Sequence, residues 1–342
     1  MFGVIVKPET AKDIRYTTRG DVKAYVQFQA DCPKGFYRLP HWPVELFTNL
    51  TPPPTKPDST WADRRLITRD LCELTPIVWQ GRLVHMECRR PATGGSAKDY
   101  YLAFIDAETG RELGRCAEGY GLASAIVHRG KVYAFASRWS ADGWHDVTVF
   151  SSADLKTWTS AEALKGDGEG VFNTSVCAGR DGFTMAYETN DPAYPAFTIK
   201  FAQSKDLLHW TKLPQATFGT NRYTACPCIR YVDGWYYVLY LEHRAPRHYF
   251  ETYVTRSRDL VHWELSSANP VLSPEGLDEG VNASDPDLVE FGGQTHLYFA
   301  VGDQLTWANV KRVSQPGGLK ALFASWYRQP GVPDWGSVGA TK

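Results

Sequence analysis

Five times along this chain a short apolar segment is followed by a glycine, and the glycine by an aromatic or β-branched run. The runs are Gly81-Arg-Leu-Val-His-Met86, Gly130-Lys-Val-Tyr-Ala-Phe135, Gly182-Phe-Thr-Met-Ala-Tyr187, Gly234-Trp-Tyr-Tyr-Val-Leu-Tyr240 and Gly293-Gln-Thr-His-Leu-Tyr-Phe299. The segments ahead of them are Thr75–Trp79, Ser124–Val127, Thr174–Cys177, Pro227–Arg230 and Pro286–Val289. This composition favours strands. Arg180-Asp181-Gly182 and Val232-Asp233-Gly234 are hairpin-like turns between them. The glycines recur at intervals of 49, 52, 52 and 59 residues, and a recurrence this regular marks a repeat architecture.

A second repeat has nearly the same period. Ser152-Ala-Asp154-Leu155-Lys-Thr-Trp158, Ser204-Lys-Asp206-Leu207-Leu-His-Trp210 and Ser257-Arg-Asp259-Leu260-Val-His-Trp263 are three copies of one phrase. The Ser and Asp side chains can accept hydrogen bonds from the backbone N–H groups that follow and so close a turn. The Trp then offers a large apolar plate for burial. A repeated residue in a repeated place is architecture, so Asp154, Asp206 and Asp259 are read as turn residues and not as catalytic ones.

Five units of about four strands each predict an all-β fold, a five-bladed β-propeller with an N-terminal extension. The blades are placed near residues 70–118, 119–168, 169–220, 221–278 and 279–328. Asp106–Gly110 turns the outer hairpin of blade one, and Gln315–Gly318 that of blade five. Residues 1–69 fall outside the repeat. They hold one strand, Val22–Phe28, and a proline-rich stretch, Thr51–Pro57, that favours an extended backbone. This arm is expected to pack on the propeller or on a neighbouring subunit, which would make a homo-oligomer. Residues 329–342 form a C-terminal tail.

Aromatic residues make up 13% of the chain, a share that suits a strand-rich fold. The formal net charge is −1, with no long basic run, which gives nucleic-acid binding no support. No apolar stretch approaches the length of a membrane span. The start, Met1–Pro8, is too short to be a signal peptide. A cytoplasmic protein is expected, or a periplasmic or secreted one if a leader has been removed. The seven cysteines are read as buried thiols, since Cys226-Pro-Cys228 is too tight for an unstrained disulfide. No cluster has convincing metal-ligand spacing, and no cofactor is expected.

In a propeller blade the first strand lines the axis and the second returns toward the face where the first began. The second strands end with Glu87, Arg138, Glu188, Glu242 and Asp303, at even offsets from the repeat glycines. Without a bulge, side chains at even spacing share a face, so a charged ring around a pocket mouth is predicted. Further carboxylates stand just before first strands: Asp70, Glu73, Glu169 and Glu279. Arg89, Arg90, Arg138 and Arg222 fall at pocket-side ends, where guanidinium forks would suit a carboxylated or sulfated sugar or a phosphate. Trp144 and Tyr223 are candidates to stack on sugar faces, with packing between blades as the alternative.

The five units and the Trp turns, over residues 70–328, resemble the five-bladed propeller glycosidases of families 43, 32, 62, 117 and 130. Ala283-Ser-Asp285-Pro-Asp-Leu288 is similar to the Asp-Pro opening strands of families 32 and 43, whose Asp faces the axial pocket and does chemistry. The chain departs from them elsewhere. Family 32 carries Glu-Cys-Pro on a first strand, and this chain has Ala225-Cys-Pro227. Blade three opens with Asn173-Thr-Ser175, where related enzymes often carry Asp. The resemblance is to a divergent member. It implies a glycoside hydrolase that acts on an oligosaccharide, releases a terminal sugar and uses a pair of carboxylates. Asp285 would be the base or nucleophile, and Glu188 or Glu242 the acid, with His243 as an alternative acid. Arg89, Arg90, Arg138, Asn173, Arg222, His243 and Trp144 would bind substrate. Some relatives hold an axial calcium ion. Two other readings stand beside this one: a phosphorylase like those of family 130, with Arg89 and Arg90 holding phosphate, and a propeller that binds glycans without turnover, motivated by Ala225.

Overall fold

The computed structural model describes residue 61 and residues 63–334, apart from 91–98, 141–142, 195–196, 245–247, 277, 304–306 and 330. The expected strand at 22–28 and the proline-rich stretch at 51–57 lie outside the described residues. Four blades are each built from consecutive strands paired antiparallel. Blade one is β2 to β5 (Leu74–Trp79, Arg82–Arg89, Tyr101–Asp106, Glu112–Cys116) and blade two β6 to β9 (Tyr120–His128, Lys131–Ser140, Gly143–Ser152, Thr159–Leu164). Blade three is β10 to β13 (Val171–Gly179, Gly182–Thr189, Thr198–Ser204, Trp210–Phe218) and blade four β14 to β17 (Ala225–Val232, Trp235–Arg244, His248–Ser257, Trp263–Leu265).

Blade five is completed from both ends of the chain. Its inner three strands are β18 to β20 (Asn282–Phe291, Gln294–Gly302, Ala308–Pro316), and its outer strand is β1 (Arg65–Arg69), antiparallel to β20. The last residues of the expected arm therefore close the ring. Gln315–Gly318 makes no hairpin, because β1 already fills the outer place. The chain instead enters helix α1 (Leu319–Trp326), which buries Leu322, Phe323 and Trp326 against Trp61 and the seam between blades four and five. Past it, β21 (Val332–Pro333) adds to β17, so part of the expected tail joins blade four.

Each Trp phrase folds as its chemistry predicts. In the first copy Ser152 Oγ accepts from the N–H of Leu155 at 2.8 Å, and Asp154 Oδ1 accepts from those of Lys156 and Thr157 at 2.9 and 2.8 Å. The other two copies repeat these bonds. The intervening Leu adopts a left-handed φ of 62, 70 and 66° and buries its side chain. Each Trp reaches the preceding blade: Trp158 stacks on Phe104 at 5.0 Å, Trp263 stacks on Phe201 at 5.2 Å, and Trp210 stands edge-on to Phe135 at 5.5 Å. Gly114 makes room for the first of these turns, since a Cβ there would fall 1.8 Å from the Leu155 carbonyl oxygen. The phrase is thus a bolt between neighbouring blades.

Burial follows the ring. Five apolar clusters fill the five gaps between blades. The last joins Tyr298 and Val310 of blade five to Leu74 and Leu83 of blade one. Burial between sheets thus supplies the driving force and leaves the axis to the first strands.

Candidate active site

Every blade contributes to a hollow on the axis. Its walls include Glu73 just ahead of β2, Ala123 of β6, Asn173 of β10, Cys226 of β14 and Asp285 of β18, with Thr75, Thr174 and Asp287 beside them. A local device aims these side chains. The first strands of blades two to five each slip register against their partner strand, between Gly121 and Ser124, Phe172 and Ser175, Ala225 and Cys228, and Ser284 and Asp287. Inside each slip one non-glycine residue takes a left-handed φ: Leu122 (52°), Asn173 (45°), Cys226 (47°) and Asp285 (48°). Such a conformation costs about 1–2 kcal/mol for an L-residue, and a bulge re-aims the side chain it carries. The same strained bulge at equivalent places in four blades is the kind of feature that clusters at functional sites.

Asp285 is partly exposed in this hollow. Its Oδ2 accepts from the Ser284 hydroxyl at 2.7 Å and from the Cys72 thiol at 3.4 Å. Burial pushes the thiols of Cys72 and Cys226 well up, and the Asp285 charge adds to both effects. Neither sulfur is therefore an activated thiolate.

Glu73 is the second carboxyl in the wall. One oxygen, Oε1, is held by the Arg90 guanidinium, and Oε2 is buried with no hydrogen-bond partner. Burial raises its pKa, Arg90 pulls it back and Asp285 raises it again, with a net upward direction. Glu188 stands just behind the wall, fully buried. Its Oε2 accepts from Asn173 Nδ2 at 2.8 Å and from the backbone N–H of Cys226 at 2.9 Å, while Oε1 has no partner. Burial raises this carboxyl too, and Asp285 adds to the shift. Glu188 thus ties together two of the bulges that shape the hollow. Asp287, lower in the wall, accepts from Arg230 and from the Leu288 N–H.

The other candidates lie away from the hollow. Glu242 accepts from Arg222 Nε at 3.0 Å and from Tyr240 Oη at 2.9 Å, and Arg222 also holds Asp334 at 3.0 Å. That cluster is a buried joint of blade four with the β21 segment. His243 is buried with its ring edge-on to Phe250. Trp144 is buried between Trp139 and Tyr100, at 5.0 and 5.3 Å. Tyr223 is buried between Phe197 and Phe250. Arg89 pairs with buried Glu87, and Arg138 is exposed at its strand end. Glu169 is taken by Lys200 and Lys212, and Glu279 by Arg64 and Lys311. Asp303 accepts from the Trp307 N–H beyond the end of β19, and Asp70 is exposed. The expected charged ring does not assemble around the hollow. Side chains of second strands point off the faces of their sheet, into the gaps between blades, and only first strands face the axis. Cys72 and Asp287 were missed, although Asp285-Pro-Asp287 carries the signal for the second. Among the described residues no group of three or more His, Cys, Asp or Glu is placed to hold a metal ion.

No protein-family model matches the chain, and no curated protein matches its sequence. Solved structures do match. A complex of BT0996 with RGII is similar with a TM-score of 0.59 at 13% identity, covering 78% of this chain and 93% of that one. A thermostable family-43 glycoside hydrolase gives 0.51 at 14% identity, covering 81% and 99%. The Bombyx mori GH32 beta-fructofuranosidase BmSUC1 in complex with sucrose gives 0.51 at 10%, covering 75% and 62%. The chain therefore has the propeller fold of the glycoside hydrolases of families 43 and 32, in a divergent form. At these identities the likeness is one of fold, and function has to be argued from the site.

Proposed function

We propose that this protein is a glycosidase whose chemistry takes place in the axial hollow. The observation that carries the reading is the pairing of Asp285 with Glu73. One carboxylate is partly exposed and accepts hydrogen bonds from a hydroxyl and a thiol. The other lines the same wall, and burial and the nearby negative charge push its pKa up against the pull of Arg90. Two carboxyl groups in such different surroundings divide naturally into a base and an acid. Asp285 would attack the anomeric carbon or take a proton from the water that does. Glu73 would give its proton to the departing glycosidic oxygen. Glu188 would position Asn173 and Cys226 without touching the sugar. A hollow walled by five strand starts suits the end of a sugar chain, which favours release of a terminal residue from an oligosaccharide. Glu73 takes the acid role over Glu188 and Glu242 because it alone of the three lines the hollow.

The hydrolytic reading is favoured over phosphorolysis by the arginines. Arg89, Arg90 and Arg222 are each already bonded to a carboxylate, so they offer no ready seat for phosphate. The test is incubation with a broad panel of oligosaccharides, with products resolved by chromatography. Sugar release by the wild type and a loss of about 10²–10⁴-fold in Asp285→Asn are expected. No release across the panel, or equal rates for the two proteins, would sink the proposal.

A further inference from the structure

Of the strands that begin around the axial hollow, β2 and β18 lead at their other ends to a second cavity. It lies at the seam of blades five and one, measures about 280 Å³, and is lined by Arg82, Asp106, Glu108, Phe291, His296 and Arg312 among others. Topology brings these together: Arg82 opens β3, Asp106 ends β4, Phe291 ends β18 and His296 lies near the start of β19. The volume sits just below the usual span of small-ligand pockets, roughly 300–1,000 Å³, and suits one sugar ring or a small anion.

Arg312 sets the chemistry. It lies on β20 opposite Tyr298, with a second arginine, Arg65, opposite it on β1. Its guanidinium carbon is 6.0 Å from the centre of the Tyr298 ring. Arg64, Arg89, Arg90, Arg222, Arg230 and Arg256 each pair with a carboxylate. No carboxylate among the described residues pairs with Arg312, and its Nε is buried with no hydrogen-bond partner. A guanidinium does not shed its proton in a protein, and a half-buried cation without a counter-charge is costly. The imidazoles around it do not add to its charge problem by gaining protons readily: burial and the Arg312 charge push His85 down to about 4 and lower His296 as well. His296 Nδ1 shares a hydrogen bond with Ser314 Oγ at 2.7 Å, and the ring also bonds the Phe291 backbone, which fixes its orientation at the cavity wall. Asp106 forms no ion pair with Arg312: its Oδ1 accepts from the Glu108 and Thr109 N–H groups, and its Oδ2 is 3.8 Å from Arg82, beyond hydrogen-bond range, so Arg82 keeps its donors for a ligand. Glu108 is exposed at the rim.

We propose that this cavity is a second ligand site, separate from the axial hollow, that takes an oxyanion between Arg312 and Arg82 with His296 beside it. A sugar carboxylate and a free inorganic oxyanion share this chemistry. The inference stands on the cavity and the uncompensated guanidinium, and it holds whether or not the axial hollow is catalytic.

The full chain is melted in galacturonate, sodium sulfate and glucose, each against sodium chloride at matched ionic strength, and then titrated calorimetrically with the two anions. Galacturonate or sulfate is expected to raise the melting temperature and to bind, and glucose to do neither. Arg312→Gln and, separately, Arg82→Gln are expected to weaken binding roughly 10- to 100-fold. Galacturonate binding about tenfold tighter than sulfate points to an acidic sugar, and equal or tighter sulfate binding to an inorganic anion. Both results support an oxyanion site. Anion effects no larger than those of chloride, or effects unchanged in both variants, overturn it. Arg82 is exposed, so its replacement leaves folding intact and keeps the test decisive if Arg312→Gln folds poorly.

Discussion

Glu188→Gln tests the electrostatics behind the hollow. The side chain is fully buried, with two donors on Oε2 and none on Oε1. Gln keeps the shape, and its one oxygen can accept from both Asn173 and Cys226. Its amide nitrogen falls where Oε1 has no partner, a deficit of about 1–3 kcal/mol that does not change with pH. The protonated acid carries a similar deficit at the same atom. Gln is therefore a mimic of protonated Glu188, and the two proteins should be about equally stable near pH 4, around the ordinary Glu pKa of about 4.3. Burial, with Asp285 adding to it, raises the folded-state pKa above the unfolded value. The sign follows: the stabilising protonation is fully present below the unfolded pKa and is lost as pH rises through the folded pKa. Each unit of upward shift removes about 1.4 kcal/mol from the wild type and nothing from the variant. Urea denaturation at a series of pH values measures this directly. Glu188→Gln should become the more stable protein as pH climbs. Adding Asp285→Asn to both should shrink the gap, because it removes the like charge. A stability difference that stays flat from about pH 4 to 8 would refute the claim that Glu188 is a charge-averse buried carboxyl.

Three further outcomes are expected. Glu73→Gln should lower kcat by about 10²–10⁴-fold and remove the alkaline limb of the pH–rate profile; a raised acid pKa makes that limb fall as pH rises through it, and an unchanged limb would exclude Glu73 as the acid. Trp263→Ala should cost about 3–5 kcal/mol in urea unfolding, since the ring is buried and stacked on Phe201, while Trp158→Ala should cost less because Trp158 is only partly buried. Asp206→Ala should lose stability conferred above the unfolded carboxylate pKa, because hydrogen bonds from the His209 side chain and the backbone hold its own pKa well down; the wild-type advantage should vanish as pH falls through that depressed pKa, and a deficit unchanged in acid would mean that the charge contributes nothing.

The blade count was legible because its signals are local. A Ser, an Asp and a Trp within seven residues build their own turn, and the structure shows the same bonds in all three copies. The closing strand was not legible, because β1 finds its partner β20 from the other end of the chain. The site failed for two physical reasons. Strict alternation along second strands predicts the ring, but the residues that face the axis are set by bulges in the first strands, and a bulge breaks alternation. Asn173, Cys226 and Asp285 hold equivalent bulge positions, so the blade-four side chain in the hollow is Cys226, while Ala225 is sealed inside the blade. The apparent loss of an acid at 225 is therefore a statement about a buried position. The second reason is pairing at long range. Glu73, Glu169 and Glu279 all precede first strands, yet Lys200 and Lys212 claim Glu169, while Arg64 and Lys311 claim Glu279. Only Glu73 keeps a buried oxygen without a partner beside a second carboxylate. Its difference from the other two lies in which cations the fold brings near, and no spacing along the chain records that.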